Sequence, residues 1–485
     1  MMRQRLAARG GKRGQGGGAT VRDINVPLPL RGVYAKARAA QVSNLYASEL
    51  LNLRSNGVSL TLRPGVEWVT RLASEVFQRI PFEFGGSSFY IEVSPTMIRA
   101  DGKTALREVP KPMAWATNSG NVIMADGAGL PLRFDGTAFA EAAFTVESGL
   151  SPAECDGIQA HHDRIYLWKT GGALEFLVGD VGAVQGVMSK FPLGRLGNIT
   201  GSIQTMVSLT IDAGHGMNDV LIIITTTGQI IAYEGFDPTD ASDWRLLGRV
   251  KGAVPLGPRA VVQVGSDAWM ITAQGPVSIG QAMRESVLAL VSDVAQPIAD
   301  DIARLAEAGG GTWQAFGADD GSMIVLNHVK DGVARQFIYW TEGRAWGTAD
   351  MQAADFHNIS GRPEVTGFDG KLGRLWRDGK DELITACWVS SWFEVGGAAV
   401  KYIEPTIISH GPMTIRVVVL SDRNDTAADI SEAEQTITIT PEESAARVTL
   451  SEIIPTDASG RSFQITLEVT ARWAEITGLM AGIGS

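Results

Sequence analysis

Few residues in this 485-residue sequence have the type and spacing that a catalytic site needs. The nearest approach to a serine nucleophile is Gly275-Pro-Val-Ser-Ile-Gly280, which is one residue longer than the G-x-S-x-G turn of hydrolases. The stretch Gly10-Gly11-Lys12 lacks the earlier glycine and the following Ser or Thr of a phosphate-binding loop. With 53 acidic residues a carboxylate pair can be chosen almost anywhere, so none is singled out. We predict that the protein is not an enzyme.

The sequence gives equally weak evidence for a metal-binding site. His161 and His162 are adjacent, and neighbouring side chains of a strand point to opposite faces, so the pair is not expected to chelate one ion. Asp319-Asp320-Gly321 and Asp369-Gly370 have the composition of turns rather than the ligand spacing of a calcium loop. We therefore predict no catalytic, cofactor-binding or metal-binding residue, and no cofactor.

The two cysteines, Cys155 and Cys387, are too few for a disulfide scaffold or a four-cysteine zinc site. Their scarcity is typical of assembly in a reducing cytoplasm, and we expect both to be buried apolar thiols. The first 18 residues are basic and glycine-rich and lack the apolar core of a secretion signal. Because no run of about 18 apolar residues occurs, we predict no membrane-spanning segment.

A short pattern recurs along the middle of the chain. Each copy has an Asp or Asn turn, a run of alternating apolar residues, a glycine-centred turn and a second strand. The copies begin at residues 121, 163, 218, 267, 320 and 369, about 42 to 55 residues apart. A sheet-forming unit that repeats near this period is the sequence signature of a β-propeller. With Ser88–Val93 as a first copy, seven hairpins can be counted between residues 85 and 395.

Residues 281–308 interrupt the repeat with the spacing of a helix face, at Leu288, Val291, Val294, Ile298, Ile302 and Leu305. Pro297 disfavours one continuous helix, so we predict two, the second beginning near Pro297. Asp300 and Asp301 are expected on its solvated face. Such an insertion either plugs the channel of a propeller, forms a contact between subunits, or covers an exposed sheet edge.

The regions on either side of the repeat have different character. Residues 1–31 are a basic, glycine-rich arm, and residues 32–84 are an extended and strand-forming segment. Residues 85–395 are the propeller with its insertion, and residues 396–485 contain five or more alternating strands, as in a β-sandwich. The predicted fold is mainly β: an irregular β-propeller with an N-terminal extended segment, a helical insertion and a C-terminal β-sandwich.

Charge is distributed unevenly over the chain. The formal net charge is −11, yet residues 1–38 contain nine Lys or Arg and one acid. The remaining residues contain 33 basic and 52 acidic side chains, a net charge of −19. A basic arm on an acidic body suggests docking on a negative surface, either another copy, another protein or nucleic acid. The alternative is a solvated tail without a partner.

Several short segments follow one another in a recognisable order: Asn44–Arg54, Leu62–Gly65, Ile80–Phe84, Tyr90–Val93, Met97–Gly102, Val122–Ala125, Gly129–Gly136, Gly460–Leu467 and Trp473–Gly478. Together they resemble the tail nozzle or tail-hub proteins of short-tailed (podovirus-type) phages, whose N-terminal stretch reads N-x-Y, then an arginine, then R-P-G. The resemblance is one of pattern and order over most of residues 33–480. It leaves out the helical insertion and the first 31 residues.

The resemblance implies a structural virion protein of the phage tail, assembled in the host cytoplasm. Such nozzles are rings, generally homohexamers, that extend the channel of the portal and head–tail adaptor for genome retention and DNA ejection. The implied partners are other copies of the chain, the portal–adaptor complex and tail fibre or needle proteins, with no membrane. Genome DNA passes through the lumen without specific binding, and an acidic body suits this because each Lys or Arg contact with phosphate adds affinity.

Two other functions fit a propeller. One is a glycan-binding or polysaccharide-degrading protein, which would need carboxylates and aromatic side chains that converge on one face. The other is a general interaction scaffold within a cell. The mass of the protein in solution separates these alternatives from a ring.

Overall fold

The computed structural model is mainly β, with 57% of residues in strands and 5% in helices. It describes residues 21–34, 43–69, 76–212, 217–285, 294–376, 382–394, 398–409, 411–422, 437–438, 448–451 and 453–484. Small sheets form a propeller, and two large sheets share one apolar core as a sandwich. The predicted fold class, mainly β with a propeller, is confirmed.

The first half of the chain contributes an N-terminal group of strands and then four blades. The N-terminal strands are β1 Arg22–Asn25, β2 Ala47–Leu51, β3 Leu53–Ser55, β4 Leu60–Leu62 and β5 Gly65–Val69. The strands that follow are β6 Gln78–Phe84, β7 Ser87–Val93, β8 Met97–Ala100, β9 Lys103–Leu106, β10 Ala114–Asn118, β11 Asn121–Ala125, β12 Leu132–Phe134, β13 Phe139–Glu141, β14 Phe144–Thr145, β15 Gly157–His161, β16 Arg164–Trp168, β17 Phe176–Val178, β18 Gly186–Val187, β19 Ser189–Phe191, β20 Ile203–Asp212, β21 Met217–Thr225, β22 Gln229–Glu234 and β23 Arg245–Lys251. All belong to blades except β14 and β18, which pair in parallel as a two-stranded sheet.

The second half completes the propeller and builds the sandwich. Its propeller strands are β24 Val261–Val264, β25 Asp267–Thr272, β26 Gly275–Ser278, β27 Thr312–Gly317, β28 Met323–Lys330, β29 Val333–Trp340, β30 Ala345–Ala349, β31 Ala353–Ile359, β32 Arg362–Gly367 and β33 Leu372–Trp376. The helices are α1 Ile279–Glu285 and α2 Ala299–Ala308. The last strands are β34 Ile384–Ser390, β35 Phe393–Glu394, β36 Ala399–Ser409, β37 Met413–Asp422, β38 Ile437–Thr438, β39 Val448–Ser451, β40 Ile454–Ser459, β41 Ser462–Ala471 and β42 Ala474–Gly484.

Six small antiparallel sheets are the propeller blades. We name them blade A (β6–β9), blade B (β10–β13), blade C (β15, β16, β17 and β19), blade D (β20–β23), blade E (β24–β26) and blade F (β31, β32, β33 and β5). A four-strand unit, the bridging meander (β27–β30), stands between blades E and F, because β27 contacts both β24 and β31. Strand β31 of blade F contacts β6 of blade A, which closes the ring.

The sequence repeat marks one position in most of these sheets. Five of its six copies lead into the second strand of a sheet, namely β11, β16, β21, β25 and β28. The copy at residue 369 leads into β33, the third strand of blade F, whose second strand begins after Ser360-Gly361. Ser360 and Gly361 both have positive φ, as a two-residue hairpin turn requires. The Asp369-Gly370 turn thus precedes a third strand, whereas the turns of the other five copies precede a second strand.

The sandwich contains strands from both ends of the chain. One sheet has the order β3-β4-β42-β36-β39, with β1 on β42 and β40 on β36. The other continues from the bridging meander as β2-β34-β41-β37-β38. Alternate residues of β41, from Phe463 to Ala471, are buried in the shared core. The sequence places residues 32–84 in a segment of their own, whereas the structure divides them between the sandwich, blade F and blade A.

The helical insertion packs on blade E, which has only three strands. Helix α1 contacts β25 and the open edge strand β26, and α2 also contacts β26. Ile298 and Ile302 reach the sandwich core, and the indole of Trp346 donates to the carbonyl of Val294 at 2.6 Å. Two helices, the second starting just after Pro297, agree with the prediction, and the part of the insertion at 286–293 lies outside the described residues. Neither α1 nor α2 is long enough to cross a bilayer.

Glutamine side chains connect neighbouring sheets of the ring. Gln78 of β6 accepts from the backbone N–H of Met113 at 2.8 Å and donates to its carbonyl at 3.0 Å. Gln314 of β27 does the same with Phe356 of β31, at 3.0 and 2.7 Å. Each buried amide thus satisfies one N–H and one C=O of the adjacent sheet, as a strand neighbour would.

Replacing Gln314 by Leu should lower the free energy of unfolding by about 2–4 kcal/mol, because two buried backbone groups of Phe356 lose their partner. Denaturant unfolding followed by intrinsic fluorescence measures the change. The matched control is Gln263→Leu, at an exposed position of β24, which should change stability by less than about 0.5 kcal/mol. Equal losses for the two variants would contradict the role of the Gln314 amide.

Candidate functional site

A groove of about 1160 Å³ crosses blade F on the face that carries the β27–β28 and β31–β32 turns. Its walls come from blade F, blade A, the bridging meander and strand β3. The side chains that define them include Glu364, Arg362 and Arg374 of blade F, Tyr90 of blade A, Trp340 of the meander and Arg54 of β3. The groove therefore brings together groups from distant parts of the sequence.

Glu364 is a buried carboxylate of this groove with partners on two blades. The Tyr90 hydroxyl donates to its carboxylate, and Arg374 Nε lies 3.3 Å from Glu364 Oε1. Burial raises the pKa of Glu364, against the opposing effects of Tyr90 and Arg374. The carboxylate is thus fixed in orientation by one residue of blade A and one of blade F.

His357 lies behind Glu364, directly across the β31–β32 pair. Its Nε2 is 3.9 Å from Glu364 Oε2, and its Nδ1 is 4.0 Å from Asp355 Oδ2. Burial, with a further effect of the Arg79 charge, lowers the pKa of His357 to about 3, so the ring is neutral at pH 7. Because each ring nitrogen faces a different carboxylate, the three groups do not converge on one point. Among the residues that the structure describes, no three His, Cys, Asp or Glu side chains can hold a metal ion together.

Two arginines attach blade F to its neighbours, Arg259 from the segment before β24 of blade E and Arg79 from blade A. Arg259 is paired with Asp355, a fully buried carboxylate whose pKa is raised by burial. Arg79 of β6 crosses the seam and donates to the carbonyl of Gly370 at 2.6 Å and to that of Lys371 at 3.3 Å. It also lies 3.3 Å from Glu92 of its own blade. The seam is therefore held by buried charge-assisted hydrogen bonds rather than by strand pairing.

A second buried polar group connects the propeller to the sandwich. We call it the module joint, formed by Asn52, Arg63 and Glu382. Arg63, between β4 and β5, makes two hydrogen bonds to the Glu382 carboxylate at 3.0 and 3.2 Å and one to Asn52 Oδ1 at 2.9 Å. Glu382 also accepts from the N–H of Val66 at 2.7 Å. The joint thus binds the point where the chain enters the propeller to the point where it leaves.

The residues considered in the sequence for catalysis have structural roles. Ser278 donates to Asp267 at 2.5 Å and accepts from the N–H of Gln281 at 2.9 Å, so it caps the start of α1. The argument from strand alternation is wrong for His161 and His162, because His162 lies in the following turn with a φ of 48°. Their ring centroids are 4.2 Å apart, and His161 Nδ1 contacts Ser208 Oγ at 2.7 Å.

Sequence reasoning missed the residues that the seam and the joint use. One feature of the local sequence could have indicated part of this site: Asp355 and His357 are two residues apart on a strand, so their side chains share a face. Nothing local indicates that Glu364 lies opposite, or that Arg63 and Arg79 are buried. Gly10–Lys12 lies outside the described residues.

The prediction of two buried thiols is confirmed for Cys155, which is buried, whereas Cys387 is half-buried. Burial raises the pKa of each thiol to about 12, with nearby acids adding to the shift. At pH 8 the thiolate fraction should be roughly a thousandfold below that of an ordinary cysteine. We expect negligible reaction of the native protein with a thiol reagent such as DTNB, and prompt reaction of two thiols in guanidinium chloride. Rapid labelling of the native protein would contradict this.

No protein-family profile and no curated protein matches the chain. Among solved structures, the Nup133 β-propeller domain of Vanderwaltozyma polyspora has 7% identity and a TM-score of 0.36, over 64% of this chain and 99% of that one. Raptor of Chaetomium thermophilum has 8% identity and a TM-score of 0.41, over 66% of this chain and 29% of that one. YCF48 bound to D1 peptide has 11% identity and a TM-score of 0.26, over 73% and 94%. Likenesses this low carry no argument about function.

Proposed function

We propose that this β-propeller protein is a non-catalytic structural subunit of the tail nozzle of a short-tailed phage. Copies of the chain form a ring, generally a hexamer, that extends the portal–adaptor channel and carries genome DNA during ejection. The proposal rests on the resemblance of segment order along the sequence, and one structural observation supports it most. The segments that carry the resemblance at the N-terminus, Asn44–Arg54 and Leu62–Gly65, are those that tie the two modules together.

These segments contact both sheets of the sandwich and the propeller. Asn44 accepts from Ser391 Oγ at 3.2 Å, and β2 pairs with both β30 and β34. Arg54 lies over the Trp340 ring of the bridging meander at 5.9 Å, and Arg63 forms the module joint. A ring that withstands DNA ejection needs subunits that do not flex between modules. Buried ion pairs and continuous sheets meet this requirement better than a linker does.

The net negative charge of the protein also supports a role as a channel for DNA. The net charge of −19 outside residues 1–38 repels a DNA duplex, and several copies in a ring increase that repulsion. A wall that does not bind phosphate does not slow the passing DNA. We propose that the basic arm, whose residues 1–20 lie outside the described part of the chain, contacts an acidic surface of the adaptor or of a neighbouring copy.

The decisive experiment is electron microscopy and mass photometry of the purified full chain, alone and with a portal–adaptor complex. The proposal expects closed rings, either free or assembled on the adaptor. A protein that stays monomeric in both conditions at micromolar concentration would overturn it.

Deleting residues 2–20 should abolish or strongly weaken binding to the adaptor or to neighbouring copies, because this segment holds five of the nine basic residues of the arm. Mass photometry with the portal–adaptor complex measures the effect. A variant in which those five residues are Gln keeps the length of the arm and separates charge from bulk. Unchanged assembly of both variants would refute arm docking.

A further inference from the structure

We propose that the groove across blade F binds an uncharged oligosaccharide segment. The inference is independent of ring formation. It rests on the size of the groove, on the rigidity of its walls and on the balance of its charges.

The size of the groove suits a polymer segment. At about 1160 Å³ it exceeds the usual 300–1,000 Å³ of small-molecule sites. It extends from Ser88 and Tyr90 of blade A, over blade F, to Met323 and Trp340 of the bridging meander. A ligand that lies along it would contact three sheets of the ring at once.

The walls are hydroxyl-bearing and already held in place. Ser88 Oγ and Ser360 Oγ, both of the groove lining, are 2.7 Å apart and join blade A to blade F. Thr341 Oγ1 donates to the carbonyl of Gly321 at 2.6 Å, and Asp320 accepts from the N–H of Ser322 at 2.9 Å. Polar groups that are fixed before binding lose little conformational entropy when a ligand arrives.

The charges of the groove favour a neutral ligand. Its lining has three guanidinium groups, on Arg54, Arg362 and Arg374, and three carboxylates, on Asp320, Glu342 and Glu364. Glu364 is already engaged by Tyr90 and Arg374. A polyanion would meet the carboxylates and a polycation the guanidinium groups, and each would bury like charges together. A sugar presents hydroxyl groups that both donate and accept, which this mixture of groups can satisfy.

A peptide fits the same surface less well. Peptide-binding grooves obtain their affinity from deep apolar pockets that take an anchor side chain. The large apolar side chains of this lining are either buried, as Met323 and Trp340 are, or half-buried, as Ile359 and Leu375 are, and the guanidinium of Arg54 lies over the Trp340 ring. They therefore form a floor rather than an empty pocket.

The test uses the full chain on an array of uncharged bacterial oligosaccharides, with heparin as the polyanionic probe and a casein digest as the peptide probe. We expect at least one neutral glycan to bind in the micromolar to millimolar range, with less than roughly twofold change between about 50 and 500 mM NaCl. Arg362→Trp fills the groove from an exposed strand position and should weaken that binding about tenfold or more. It leaves Glu364 and its partners in place.

Arg335→Trp is the matched control, since Arg335 is exposed on β29 outside the groove lining. Its affinity for the glycan should stay within roughly twofold of the unmodified protein. Circular dichroism shows that both variants are folded. Three results would each overturn the proposal: no neutral glycan bound at millimolar concentration, equal binding by the two variants, or retention of heparin or peptide alone. The oligomeric state is read separately, so this outcome does not depend on the nozzle proposal.

Discussion

Glu382→Leu should lower the free energy of unfolding by about 3–5 kcal/mol, because it leaves the guanidinium of Arg63 buried without its counter-charge. The Arg63 side chain is 3% exposed, whereas that of Glu382 is 27% exposed. Removing the acid is therefore the more damaging of the two single changes, and Arg63→Met should cost about 1–3 kcal/mol, since the remaining carboxylate still reaches water. Urea unfolding and hydrogen exchange of β5 measure the loss.

The double variant Arg63→Met/Glu382→Leu is the critical comparison. Replacing a buried ion pair by apolar side chains is often close to neutral, so it should regain most of the stability that Glu382→Leu loses. Because the protein has two modules, exchange at β5 is the more direct measurement than a single global transition. Additive losses in the double variant would show that the two side chains do not act as a pair.

Arg79→Met should be the second large effect, a loss of about 3–5 kcal/mol with fastest hydrogen exchange at β6 and β31. It removes the hydrogen bonds to the carbonyls of Gly370 and Lys371 and so opens the seam between blades A and F. The protein supplies its own control, because Arg99 is paired with the same carboxylate, Glu92. The Arg79 side chain is 1% exposed and that of Arg99 34%.

Arg99→Met should therefore cost less than about 1 kcal/mol. The difference between the two variants isolates the contribution of burial and of the contacts across the seam, since both remove one partner of Glu92. If Arg99→Met were as damaging as Arg79→Met, the effect would belong to Glu92 and not to closure of the ring.

The regular parts of the fold were predictable from the sequence. The spacing of Asp, Asn and Gly turns gave the blades, and the spacing of Ile298 and Ile302 gave the helix of the insertion, because turn chemistry and apolar periodicity act over a few residues. The copy at Asp369 led into a third strand because an Asp-Gly turn suits several corners of a blade. His162 was misplaced because it lies in a turn that has no glycine.

The polar sites were not predictable, since they depend on contacts between residues far apart in the sequence. Arg63 and Glu382 are separated by roughly 300 residues, as are Arg79 and Gly370. The sequence alone does not show whether an arginine is buried or exposed, because its burial depends on a partner that is far away in the chain. The same holds for Gln314, whose position on an alternating strand gives no sign that it binds the backbone of the next sheet.

The outer strand of blade F has a consequence for biosynthesis. Strand β5 pairs with β33, and β2 and β4 pair with β34 and β42, so the earliest strands to be translated find their neighbours among the last. Contacts between residues so far apart in the sequence form slowly, and the edges of the N-terminal strands stay unpaired while the intervening residues are translated. The propeller therefore cannot close before β33 has been translated, and the sandwich must wait longer, for β42, so a nascent chain exposes unpaired strand edges during much of its synthesis.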